Sequence, residues 1–173
     1  GTDSANMEDA RLLGLASQIL TERLNAMEAT DPLIQNASVR SQPSQEFPGT
    51  GVFGAYGLVA PEKVENAMDR IFALYDAMAK DGPTVEELAH AKQQVSHQLE
   101  AALANPDFWS EQLSLLTYRA RSLDDLAQAQ TPYQSITPED VRRAVAKYHT
   151  LERRMQLVLL QKGELQILQP KRE

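Results

Sequence analysis

The chain has no cysteine, which removes thiol nucleophiles, thiolate zinc ligands and disulfides in one stroke. Positive charge is also scarce: 17 Lys and Arg stand against 24 Asp and Glu, for a formal net charge of -7. The basic residues do not cluster, and the short "ERR" at 152–154 and "KRE" at 171–173 are mixed in sign. Nucleic acid and anionic membrane both need grouped Lys and Arg, so the balance argues against either partner. No apolar run approaches the roughly 20 residues of a membrane span. The N-terminus lacks the basic-then-apolar pattern of a signal peptide. Its polar "GTDSANMEDA" leads directly into an amphipathic helix, so the chain reads as a fragment cut at a loop.

What is present is ordinary globular material, 173 residues of which 42% are hydrophobic, enough for one domain with a real core. From Met7 to Met27, Leu12, Leu13, Ala16, Ile19, Leu20 and Leu24 recur at helical spacing. Pro32 in "TDP" ends that helix, because proline disfavours helix in the residue before it. "NASVRS" alternates, with Ala37 and Val39 on one side, and reads as a strand. After a loop at 42–51, "GVFGAYGLVA" reads as a second strand whose glycines lie inside the apolar run. A phosphate loop would place them between a strand and a helix start. A bent strand with backbone packed closely against it is the better reading.

Pro61 opens a helical block, in which Val64, Met68, Ile71, Tyr75 and Met78 form an apolar stripe ending at "KDGP". Thr84 with Glu87 makes a capping box for a helix to about Ala104. Asn105-Pro106 starts another through Phe108, Trp109, Leu113 and Leu116, and Ser122 a shorter piece. Thr137-Pro138 caps the last helix, with Val141, Ala144, Val145 and Tyr148 on its inner face. "MQLVLLQKGELQIL" reads as two strands about a turn at Lys162-Gly163. The order predicts an α+β domain with helices packed on an antiparallel sheet.

"HQLEA" at 97–101 comes within one residue of His-x-x-Glu-His, a zinc-hydrolase signature, but Ala101 occupies the second ligand's place. At about 100° per residue, Leu88, Ala91, Val95, Leu99 and Ala102 share one face of that helix, and His90 and His97 lie opposite them. Seven residues span two turns, roughly 10 Å of rise, too far for two nitrogens that must each lie about 2.0–2.1 Å from one metal. The two histidines therefore read as solvated polar residues. His149 reads as a helix-terminal cap favoured by the dipole. The acid pairs Asp124-Asp125 and Glu86-Glu87 sit in first helical turns for the same electrostatic reason, and no Ser/His/Asp set or general acid stands out. No catalytic, metal or cofactor-binding residue is assigned.

Two stretches carry more than generic patterning. "VAPEKVENAMDRIFALYDAMAKDGPTVEELAHAKQQV" (59–95) resembles the segment of insulinase-type (M16) zinc metallopeptidases that leaves a strand through a Pro-led helix. A Thr-x-x-Glu-Leu-x-x-Ala-Lys start follows there, as Thr84, Glu87, Leu88, Ala91 and Lys92 do here. "YQSITPEDVRRAVAKYHTLERRMQLVLL" (133–160) resembles the family's closing helix and core strand, and "LTERL" (20–24) fits the first helix.

The resemblance implies the sheet-and-helix fold of the LuxS and mitochondrial processing peptidase type. In such proteins two homologous halves close like a clamshell around an extended peptide. The zinc motif belongs to the catalytic half and is absent here. Residues 1–173 then form a single inactive M16-type domain of a larger two- or four-domain protein. The resemblance implies that the chain alone is no enzyme and that its parent is a zinc metalloendopeptidase with Zn in its catalytic domain.

The implied partners are that catalytic half, in the same protein or as a homologous subunit, and a peptide substrate, which could add along a sheet edge. The family's substrate-contacting Arg and Tyr overlie Ala29 and Asn36, which cannot replace them. Asn36, Arg40 and Tyr56 are the candidate cleft contacts. A bacterial parent would be periplasmic or exported. The alternative is a structural or assembly subunit of the same fold with no proteolytic role.

Overall fold

The computed structural model describes residues 6–44, 50–115, 130–159 and 165–168. Helix α1, Met7–Thr30, is the axis of the core. Asn6 caps it, its Oδ1 accepting from the Asp9 amide at 3.1 Å, and it stops at Asp31, one residue before the proline. Leu13, Leu15, Ala16, Ile19 and Leu20 along it are completely buried.

Strands β1 (Gln35–Gln42) and β2 (Val52–Leu58) form an antiparallel hairpin against α1. Ala37 and Val39 are buried, as the alternation predicts. The close packing expected against the glycines of the second strand is found at Gly57. A Cβ there would lie 2.2 Å from Ile34 Cγ2, closer than two carbons can pack, so only glycine lets the Ile34 side chain fill that space.

A 3-10 turn, Pro61–Lys63, leads into α2, Val64–Asp81. The apolar stripe on α2 is only partly used: Tyr75 and Met78 are buried, while Val64, Met68 and Ile71 keep partial exposure. In the first half of the helix Ala67 is the buried residue, packed with Leu24, Ile34 and Ala37. Gly82, at φ 75°, ends α2 in a conformation that favours glycine.

Helix α3, Val85–Leu103, begins with the expected capping box. Each residue of its family-like start has a structural task. Thr84 caps; Glu87 takes both Nε and Nη2 of Arg23 on α1 at 2.7 Å. Leu88 and Ala91 enter the core. Lys92 Nζ donates to the carbonyls of Gln134 and Ile136 at 3.1 and 2.6 Å. Thr84→Ala is expected to cost about 1 kcal/mol, read as a lower midpoint in chemical denaturation with an unchanged slope.

Helix α4 spans Pro106–Leu115, α5 is a single turn at Thr131–Gln134, and α6 runs Pro138–Tyr148. A second capping box, Thr137 with Asp140, opens α6, and Val141, Ala144 and Val145 enter the core. After a 3-10 turn at Leu151–Arg153, strands β3 (Gln156–Leu159) and β4 (Leu165–Leu168) pair antiparallel. Among the described residues the strands form two separate two-stranded sheets. The helical piece from Ser122, Leu116, Asp124-Asp125 and the turn at Lys162-Gly163 lie outside the described residues.

Candidate functional site

The hairpin turns one face to the core and the other outward. Register pairs Ser38 with Tyr56, Val39 with Ala55, and Arg40 with Gly54. Val39, Ala55 and Phe53 share the inner face, where Phe53 meets Tyr75 edge-on at 5.2 Å. Arg40 and Tyr56 alternate onto the outer face. Gly54 opposite Arg40 leaves room, and the guanidinium lies over the Tyr56 ring, 5.8 Å from its centroid, within cation–π range. Of the three residues singled out from sequence, the fold thus brings these two together. Asn36 occupies a different place. It sits at the β-bulge between Gln35 and Ser38 with φ 53°, a left-handed conformation that asparagine tolerates better than most residues.

The turn that delivers β1 is clamped by Glu28. Its Oε2 accepts from the amides of Leu33 and Ile34, the latter at 2.6 Å. Its Oε1 takes Arg70 Nη1 of α2 at 2.9 Å, and Arg70 also reaches the Asp31 carbonyl at 2.7 Å and the Asp31 carboxylate. Burial pushes the Glu28 carboxyl up, but the two amides and Arg70 outweigh it and hold the group below its usual range. Sequence reading passed over Glu28, since its partners are an irregular turn and a helix 42 residues on.

A second cluster lies at the junction of α2, the end of α6 and the approach to β3. His149 is indeed the C-cap of α6. Its ring stacks on Tyr75 at 5.3 Å, and its Nε2 lies 2.6 Å from Asp76 Oδ1 and 2.7 Å from Arg154 Nη2. Arg154 in turn lies over Phe72 at 4.8 Å. Burial raises the Tyr75 phenol, whose hydroxyl has no hydrogen-bond partner. The cluster ties three elements together and lacks a nucleophile with an activating base.

The donor set does not fit zinc. The His90 and His97 side chains are 57% and 69% exposed, each beside a single carboxylate, Glu22 at 3.2 Å and Glu100 at 3.9 Å. Among the described residues no three His, Asp or Glu side chains converge on a common point, and no helix is long and apolar enough to cross a membrane.

Fold and site together define a helix-rich α+β domain built around structural ion pairs. Residues 2–95, more than half of the chain, match the family described as the peptidase M16 inactive domain, and the chain belongs to that family. No curated protein gives a significant match. Among solved structures, the peptidase M16 inactive domain from Pseudomonas fluorescens superposes with a TM-score of 0.71 at 21% identity, over 85% of this chain and 35% of that one. A protease from Helicobacter pylori gives 0.70 at 20%, over 82% and 35%. An insulinase family protease from Yersinia pestis, described as predicted, gives 0.61 at 12%, over 84% and 33%. At these identities the likeness establishes the fold. The chain spans about a third of the length of each structure.

Proposed function

We propose that this chain is the non-catalytic wall of a peptidase chamber. It closes against a zinc-bearing half, in the same protein or as a homologous subunit, and supports an extended peptide there. The outer face of the β1–β2 hairpin is the surface turned to the peptide. The observation that carries this reading is the Arg40–Tyr56 stack on that face. A guanidinium over an aromatic ring offers a peptide carbonyl N–H donors beside a flat apolar surface. Asn36, exposed at the bulge, adds an amide that can donate to and accept from a peptide backbone. The catalytic half, where zinc resides in this reading, performs the hydrolysis.

The test is steady-state cleavage of an unstructured peptide by the full-length protein carrying Arg40→Ala or Tyr56→Ala. The expected result is a KM raised roughly 5- to 20-fold with kcat changed far less, the signature of lost uniform binding. Unchanged KM in both variants, with the fold intact by circular dichroism, would remove the hairpin face from the cleft.

A further inference from the structure

His149 Nε2 stands between two groups that require opposite things of it. It lies 2.6 Å from Asp76 Oδ1, an acceptor, and 2.7 Å from Arg154 Nη2, a donor, while Nη2 also reaches Asp76 Oδ1 at 3.0 Å. An imidazole nitrogen either donates or accepts, so the three contacts are never all hydrogen bonds at once. With a neutral ring the trio carries one positive and one negative charge, whichever nitrogen holds the proton. A protonated ring sets a second cation 2.7 Å from the guanidinium, with one carboxylate oxygen left to serve both. The His149 and Arg154 side chains are only 9% and 18% exposed, so water screens the two cations from each other poorly.

The charged and titratable groups facing the ring come from three elements. Helix α2 supplies Asp76 and Tyr75, whose phenol burial raises still further above the range in which histidine titrates. The segment before β3 supplies Arg154. On α6 itself, Lys147 and Tyr148 are turned to Asp9 of α1, each 2.6 Å from its Oδ2. The ring is fixed by its stack on Tyr75, and the C-terminus of α6 attracts a cation at this position. Arg154 is the member free to leave. Its Nε is buried with no hydrogen-bond partner among the described residues, so its place is already imperfect. Its departure would reach beyond the trio. Among the described residues, the hydrogen bonds joining 151–168 to the rest of the domain are those of Arg154 to Asp76 and His149. Met155, Leu157 and Leu159, which follow it, are exposed.

We propose that His149 is a proton-operated latch on the β3–β4 pair. Neutral, it keeps Arg154 in place and the pair against α2; protonated, it takes Asp76 for itself, expels the guanidinium and loosens the pair. The latch is independent of the role proposed for Arg40 and Tyr56.

Hydrogen exchange of the full-length protein tests it, read by mass spectrometry on the peptide covering β3 and corrected for the intrinsic pH dependence of exchange. From about pH 8 to about pH 5, where histidine ordinarily gains its charge, β3 protection is expected to fall roughly 10-fold while that of α1 holds. His149→Phe keeps a ring on Tyr75 but cannot titrate, and β3 protection is then expected to be equal at both ends of the span. His90→Gln with His97→Gln removes the other two histidines of these 173 residues and is expected to leave the fall intact. Arg154→Met keeps an apolar cover on Phe72 without the charge, and its β3 is expected to be loose already at pH 8. Protection of β3 that ignores pH in the parent overturns the proposal, as does an equal fall in His149→Phe or a fall shared by α1. Should His149→Phe fail to fold, full β3 protection of Arg154→Met at pH 8 overturns it on its own.

Discussion

Glu28→Ala is expected to cost about 3 kcal/mol, since two amides and a largely covered guanidinium lose one shared acceptor. For a chain of this size that lowers the melting temperature by roughly 6–12 °C. The side chains of Arg70 and Glu28 are only 16% and 11% exposed, so water replaces the lost carboxylate poorly. The pH dependence carries a definite sign. The folded carboxyl titrates below its ordinary value of 4.5, so its contribution is complete above that pH and is lost as pH falls through the lowered folded value. Glu28→Gln keeps one acceptor and cannot titrate. Its deficit relative to the parent is therefore expected at neutral pH and should shrink in acid below pH 4.5. Thermal melts of both proteins across that range check it; a deficit that grows towards low pH would contradict the assignment.

Gly57→Ala is expected to cost about 2 kcal/mol through overpacking, because the new methyl must displace Ile34, itself only 4% exposed. Ile34 sits between the Glu28 clamp and the bulge at Asn36, so the displaced hairpin end should also disturb the outer face. A paired variant, Gly57→Ala with Ile34→Ala, removes the clash and is expected to behave non-additively: adding the alanine at 57 should cost less once residue 34 has been cut back. Denaturant midpoints for the four proteins of this cycle measure the coupling. Additive losses would mean that the Ile34 side chain is not what excludes a Cβ at position 57.

What was legible in the sequence was local. Thr84 with Glu87, Thr137 with Asp140, and Pro32 each act within three or four residues, and each does in the fold what its spacing suggests. The inner faces of α1 and α6 were legible because a stripe at helical period has one way to be buried. The clamps were not. Arg23 reaches Glu87 across 64 positions and His149 reaches Asp76 across 73, and no periodicity encodes such meetings. The burial of α2 was overestimated for a related reason: a stripe shows which face is apolar, while the length covered depends on what lies against it. Arg40 and Tyr56 could be named as candidates, but only strand register places one over the other.

The central claim is that this chain contributes walls and contacts while hydrolysis resides elsewhere. Zinc content by elemental analysis of the purified 173-residue chain, taken with cleavage of an unfolded peptide, tests it most directly. Zinc is expected far below stoichiometric, with no cleavage above background. Stoichiometric zinc retained through dialysis, with cleavage that a chelator abolishes and added zinc restores, would contradict it.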